Sequence, residues 1–322
     1  MDTLDRKKLV TILIPAYNEH EVIPLLYERL LKLMNEQKQY DFELLFVNDG
    51  SKDNTLELIK TLRNNDKRIN YLNLSRNYGK EIAMVAGFDY LKGDCLVIID
   101  ADLQDPPELI PEMLKYWEEG YDDVYARRKT RKGESFLKKF TSWGFYRTLQ
   151  SMTNIEIQKD TGDFRLLDRR CVEAIKKLRE SQRYTKGLYS WIGYKKKEIL
   201  YDRDARAAGK TKWNYRNLVN LSIDGITSFT TSPLRWAAIM GIFTSLAGFI
   251  YMLVIIFKTI IWGADVSGYA SMMVVILFLG GIQLIFLGLI GEYLGRAFYE
   301  VKGRPLYFID TYNEEKETNL KG

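Results

Sequence analysis

The stretch Cys95-Leu96-Val97-Ile98-Ile99-Asp100-Ala101-Asp102-Leu103-Gln104-Asp105-Pro106 runs an apolar segment straight into two acids one residue apart. A short apolar run closed by a polar loop reads as a core strand. Two carboxylates just beyond its end are what a divalent cation held against a diphosphate requires. On the N-terminal side the chain alternates: strand-like runs at 10–14, 42–47, 69–74 and 96–99 are separated by helical patterns at 22–36, 55–63 and 81–91. Such alternation predicts βαβ units and a largely parallel sheet.

Ligands of these sheets bind beyond the carboxyl ends of the strands. There lie Pro15-Ala16-Tyr17-Asn18-Glu19, Asn48-Asp49-Gly50-Ser51 and Asp100-Ala101-Asp102, so the three loops are expected to converge on one crevice. Singly, each has a plainer reading. Asn48-Asp49-Gly50-Ser51 is ordinary turn chemistry, and Pro15 with Asn18 could simply start a helix. Three such loops, at the ends of the first, second and fourth strands, argue for a site. No glycine fingerprint of the dinucleotide or P-loop type follows the first strand, which speaks against dehydrogenases and ATPases. His20 has no paired nucleophile and reads as a solvated loop residue.

The 322 residues are 46% hydrophobic with a net charge of +5, but the average hides a division. Residues 1–220 read as a soluble α/β domain, whereas 236–257 and 269–291 carry no charge, and each is about the 20 residues that a membrane-spanning helix needs. Buried core helices are the alternative, but these are usually shorter and keep a polar face. The start, Met1-Asp2-Thr3-Leu4-Asp5-Arg6-Lys7-Lys8, has no apolar signal core, so the first domain is expected in the cytoplasm. Arg296, Lys302 and Arg304 follow the second stretch, while the connector 258–268 offers only Lys258 and Asp265. The expected topology is a multi-pass cell-membrane protein with an external connector and both termini cytoplasmic. Residues 221–235 are expected to form a juxtamembrane helix and 292–322 a cytoplasmic tail.

Cys95 and Cys171 fit neither a disulfide framework nor a metal-ligand spacing, and are expected to be buried thiols. Arg127, Arg128, Lys129, Arg131, Lys132, Lys138 and Lys139 concentrate positive charge in one segment. Beside membrane spans this suits anionic lipid rather than nucleic acid. Residues 135–153, with Phe136, Phe140, Trp143, Phe145 and Tyr146 among basic neighbours, suit an amphipathic helix in the headgroup region. Packing against the soluble domain is the competing reading.

The ordered set Ile14-Pro15-Ala16-Tyr17-Asn18-Glu19, Val47-Asn48-Asp49-Gly50-Ser51, Asp100-Ala101-Asp102-Leu103-Gln104-Asp105-Pro106, Thr161-Gly162-Asp163-Phe164-Arg165-Leu166 and Arg206 through Gly209-Lys210-Thr211-Lys212 resembles family 2 glycosyltransferases. More narrowly it resembles the polyprenyl-phosphate glycosyltransferases, among them dolichol-phosphate mannose synthases and bactoprenol glucosyltransferases. The resemblance covers nearly the whole chain. It implies a GT-A (Rossmann-like) α/β domain followed by interfacial helices and a two-helix transmembrane hairpin.

By the same resemblance, Pro15, Tyr17, Glu19, Val47 and Asp49 hold the nucleoside of a UDP-sugar donor. Asp100, Ala101 and Asp102 line its diphosphate. Asp102 and Gln104, with Asp100, ligate Mg²⁺ or Mn²⁺, hard cations that favour oxygen. Arg128, Arg206 and Lys212 face phosphates, with Arg127 the alternative to Arg128, and Lys210 departs from the residue types usual at its position. Asp163 is the family's candidate base, or else an N-cap of the following segment. The acceptor implied is undecaprenyl phosphate, whose second pKa near 6, by analogy with phosphoserine, leaves it mostly anionic at neutral pH. Asp163 is therefore expected to orient the acceptor or Arg165 more than to remove a proton. Glucose or N-acetylglucosamine is the preferred sugar. Membrane lipids are expected partners and nucleic acid is not. Gly280, Gly281, Gly288, Gly291 and Gly295 permit close helix contacts and hence a homo-oligomer. A processive polysaccharide synthase lacks support, since no Gln-x-x-Arg-Trp motif appears, and the intact acids argue against a non-catalytic scaffold.

Overall fold

The structure is a computed structural model that describes residues 6–129, 161–202, 227, 230–263, 268–313 and 315–316. Arg206, Lys212, the stretch 135–153 and most of 221–235 lie outside the described residues. The chain divides into two compact units, Met1–Ser222 with Pro305–Gly322, and Ile223–Arg304.

The first unit is built on strands β1 Lys8–Ala16, β2 Tyr40–Asn48, β3 Ile69–Leu74 and β4 Cys95–Ile98, interleaved with helices α1 Ile23–Glu36, α2 Thr55–Asn65 and α3 Lys80–Asp89. All four predicted strands and all three predicted helices form. α1 does so because Ile23, Leu26, Leu30, Leu33 and Met34 recur at helical spacing and are buried, with Pro24 in the first turn, where its missing N–H costs nothing. Asn18 starts no helix: it sits at φ 57°, and its Oδ1 accepts the Lys52 N–H at 2.8 Å. Beyond β4 come a short 3-10 turn and α4 Ile110–Glu118, then β5 Asp123–Arg128, β6 Thr161–Asp168, α5 Arg169–Lys176, α6 Thr185–Trp191 and β7 Lys196–Tyr201.

β1, β2, β3 and β4 pair in parallel, while β6 inserts antiparallel between β4 and β5. The strand order is β7-β5-β6-β4-β1-β2-β3, continued beyond β3 by two C-terminal strands, β8 Ile309–Tyr312 and β9 Glu315–Lys316. Alternate residues of β1 send Val10, Ile12 and Ile14 into a core with α1 and α4, and Leu13 into a second core with α3 and α5. The sheet is therefore covered on both faces. α3 lies close on it: a Cβ at Gly87 would stand 2.3 Å from Leu13 Cδ1. Cys95 and Cys171 are free and fully buried, and burial pushes both thiols up. Arg165 and Asp123 form a wholly buried ion pair at 3.1 Å, with the guanidinium 3.8 Å from the Tyr189 ring centre.

The second unit holds α7 Ser232–Trp262 and α8 Tyr269–Val301, two helices long and apolar enough to cross a membrane. Leu253, Phe257, Leu277, Leu284 and Ile285 are among their exposed side chains. Tyr293 Oη donates to the Thr230 carbonyl at 2.7 Å.

Residues 292–322 do not form one tail. α8 extends to Val301, and β8 Ile309–Tyr312 adds antiparallel to β3 in the first unit, followed by β9 Glu315–Lys316. Asn313 Oδ1 accepts the Tyr71 N–H at 2.9 Å, and Tyr307 Oη donates to Asp89 at 2.6 Å. The sequence does not reveal this strand, because what recruits it is the edge of β3, some 240 residues earlier, where unpaired backbone groups would otherwise face solvent.

Candidate active site

The loop after β4 alternates: Ala101, Leu103 and Asp105 are buried, whereas Asp100, Asp102 and Gln104 are half-buried. Burial of the first set anchors the loop and leaves the predicted metal-side residues together at the strand end. Leu103 sits at φ 57°, a conformation uncommon outside glycine, held by its apolar side chain packing into the core. Asp102 Oδ1 accepts the Gln104 N–H at 3.2 Å. Asp105 accepts a bond from Tyr201 Oη at 2.5 Å, tying the loop to the end of β7.

The first two loops do converge. Asn18 N–H donates to Ser51 Oγ at 3.0 Å, Glu19 N–H to Thr55 Oγ1 at 2.9 Å, and Asp49 N–H to the Ala16 carbonyl at 2.9 Å. Pro15, Tyr17 and Glu19 remain partly exposed at the rim. Val47 and Asp49 are placed differently. Val47 is fully buried in the core under α3. The Asp49 carboxylate accepts the backbone N–H groups of Tyr78 at 2.7 Å and Gly79 at 2.8 Å and the side chain of Asn77 at 3.0 Å, while burial pushes its carboxyl up. Gly50 allows the approach, since it takes φ 63° and a Cβ there would stand 2.5 Å from the Arg76 backbone. In this structure Val47 and Asp49 thus hold the floor of the crevice and the start of α3.

That anchorage positions Lys80, a residue the sequence reading passed over. Its Nζ lies 2.6 Å from Asp100 Oδ1 and also donates to Asp163 Oδ2. Asp163 lies in β6 and is no cap; the N-cap of α5 is Asp168, which accepts the Arg170 N–H at 2.9 Å. Burial works to raise the Asp163 carboxyl, but the ammonium groups of Lys80 and Lys186 prevail and hold it well below the usual carboxylate range. Desolvation likewise opposes the Lys80 charge, and Asp100 with Asp163 outweighs it and raises that ammonium. Asp163 Oδ1 is buried and lacks a hydrogen-bond partner among the described residues. Next to Lys80, burial and the Asp163 charge push the Glu81 carboxyl up. The Arg165 guanidinium adds to the field that lowers the Asp163 carboxyl, and its partners include Asp123. The signal for Lys80 is its place at the first position of a helix, where the dipole disfavours a cation unless carboxylates surround it.

Arg127 and Arg128 at the end of β5 separate. Arg127 pairs with Glu198 at 3.1 Å. Arg128 lies beside Tyr201, with its Nη2 3.9 Å from where a Gly162 Cβ would be, and its Nε is buried without a partner among the described residues. Arg128 is therefore the one turned toward the acid loop. His20 is paired, with Nδ1 2.7 Å from Asp53.

Asp100, Asp102 and Gln104 at one strand end, with Lys80, Asp163 and Arg128 around them, form a charged crevice at the carboxyl edge of a doubly covered sheet. Residues 11–176 match glycosyl transferase family 2, and residues 232–297 match the GtrB C-terminal hairpin. The chain is 51% identical to an uncharacterized glycosyltransferase of Synechocystis, over 93% of this chain and 94% of that protein. It is 43% identical to a prophage bactoprenol glucosyl transferase homolog of Escherichia coli and to the bactoprenol glucosyl transferase of Shigella phage SfX, in both cases over 93% of this chain and 98% of the relative. The chain belongs to glycosyl transferase family 2.

Proposed function

We propose that the protein transfers a sugar, glucose or N-acetylglucosamine, from a UDP-sugar to undecaprenyl phosphate at the cytoplasmic face of the membrane, with inversion at the anomeric carbon. The observation that carries this reading is the meeting of Asp100, from the end of β4, and Asp163, from β6, around one ammonium. It supports a reading in which the Asp100 side takes the donor and the Asp163 side the acceptor. The names of the bactoprenol glucosyl transferases and the apolar hairpin support a polyprenyl phosphate as acceptor.

Among the described residues no three His, Cys, Asp or Glu side chains gather into a closed metal cage. The oxygen donors that are present suit Mg²⁺ or Mn²⁺, which commonly share their shell with substrate phosphates. Asp102 and Gln104, with Asp100, would hold the ion, which when bound neutralises charge on the departing diphosphate. Pro15, Tyr17 and Glu19, with Val47 and Asp49 beneath them, line the nucleoside side, Ala101 lies on the diphosphate side, and Arg128, Arg206 and Lys212 supply positive charge to phosphates. An acceptor phosphate oxygen bonds to the anomeric carbon as the bond from that carbon to the donor phosphate breaks, and UDP leaves. Asp163, kept ionised, orients the acceptor through the Lys80 ammonium that it holds, and the acceptor's anionic oxygen needs little help to attack. Holding the acceptor at the membrane supplies the proximity term.

β8 follows α8 yet joins the sheet that β1 to β7 build before α7. This supports a hairpin that crosses twice and returns to the catalytic domain's side, with both termini cytoplasmic. Purified protein given radiolabelled UDP-glucose or UDP-N-acetylglucosamine, Mg²⁺ or Mn²⁺ and undecaprenyl phosphate should yield labelled lipid. Absence of labelled lipid with every UDP-sugar tried refutes the proposal.

A further inference from the structure

Lys80 stands where a cation belongs. Its ammonium contacts both oxygens of Asp100, at 2.6 and 2.8 Å, and bonds Asp163 at the same time. It heads α3, so the positive end of that helix adds to its field. Three bonds that the Asp49 carboxylate accepts from Asn77, Tyr78 and Gly79 fix that helix start. The side chain itself keeps 40% of its surface exposed, so its stem has room to swing. A lysine is a point charge on a flexible stem, suited to exchanging one anionic partner for another.

We infer that Lys80 is a built-in counter-cation that occupies Asp100 until a divalent ion arrives together with a diphosphate. A bare divalent ion approaching Asp100 and Asp102 meets the ammonium within a few ångströms and is repelled at short range. A diphosphate removes the conflict, because it brings negative charge that satisfies both the ion and the displaced ammonium, which retains Asp163. Metal binding thereby becomes conditional on the nucleotide, and the same side chain couples occupation of the donor side to the acceptor-side carboxylate. The inference rests on the reading of this crevice as a nucleoside diphosphate site.

Mn²⁺ binding to the full-length protein in detergent, followed by electron paramagnetic resonance of the free ion, tests it without turnover. The wild type should bind Mn²⁺ weakly alone and much more tightly with UDP. Lys80→Met and Lys80→Gln, two variants in case one does not fold, should each tighten nucleotide-free Mn²⁺ binding by about tenfold. Lys80→Arg, which keeps the charge, should behave as the wild type. Equal nucleotide-free affinity in the wild type and both neutral variants overturns the inference. So does Mn²⁺ binding in Lys80→Met that stays as tight after an added Asp102→Ala. Failure of UDP to strengthen Mn²⁺ binding in Lys80→Met refutes the diphosphate reading instead, and leaves the nucleotide-free effect of Lys80 standing.

Discussion

The carboxylate of Asp49 accepts the backbone N–H of Gly79 at 2.8 Å, and this bond sets the residue that precedes Lys80. A motif at the end of β2 thus positions a cation at the start of α3. Asp49→Ala should cost about 1–3 kcal/mol, because it orphans two backbone donors and leaves the Asn77 amide only its bond to the Asp49 carbonyl. Thermal unfolding in detergent measures that loss, and activity should fall further than stability does. An Asp49→Ala protein as stable and active as the wild type would remove this anchor from the account.

Asp163 should not govern the pH dependence of turnover near neutrality. A carboxyl held below its usual value contributes stability at every pH above its unfolded value of about 3.9 and loses it only as pH falls through the folded value. Its pairing with Lys80 is then intact throughout the neutral range. Asp163→Asn should keep a reduced activity that rises between about pH 5 and 7 as the acceptor phosphate ionises. Activity that stays flat and near zero over that range would make Asp163 an obligatory base.

Arg128 and Arg127 should differ sharply. Arg128→Ala is expected to lower kcat/KM by about 100-fold, as for loss of a group that stabilises developing charge. Arg127→Ala breaks a pair with the part-exposed Glu198 and should change stability by no more than about 1 kcal/mol. Steady-state kinetics of the two variants with a fixed donor decide the matter, and a larger loss for Arg127→Ala would reverse the assignment.

The buried pair of Arg165 and Asp123 should be asymmetric under substitution. Arg165→Met leaves a buried acid without its cation and should cost about 3–5 kcal/mol, whereas Arg165→Met with Asp123→Leu should recover much of it. Unfolding midpoints of the single and double variants test this.

Removing Pro305–Gly322 should expose the edge of β3. The truncated protein is expected to unfold about 5 °C lower and to aggregate, and amides of Leu72 to Leu74 should exchange faster with solvent. Unchanged exchange there would mean that β8 adds nothing to the sheet.

Much of the fold is written locally. Apolar runs with polar ends mark β1 to β4, helical spacing marks α1 to α3, and two long uncharged stretches mark α7 and α8, because strand burial and helix periodicity are properties of neighbouring residues. β6 and β8 escape such reading, since each is a strand by virtue of a partner far away in sequence. The site divides the same way. Asp100, Asp102 and Gln104 alternate in sequence and share one side of their loop in space.

The sequence by itself determined the acid loop, its place at a strand end and the apolar hairpin, since these follow from residue type and spacing. Only the tertiary structure decided that Lys80 joins Asp100 to Asp163, that Arg128 rather than Arg127 turns toward the acid loop, and that Asp49 serves α3. Charges separated by tens of residues meet only where the sheet and the start of α3 bring them, and at those distances Coulomb attraction settles which carboxylate takes which cation.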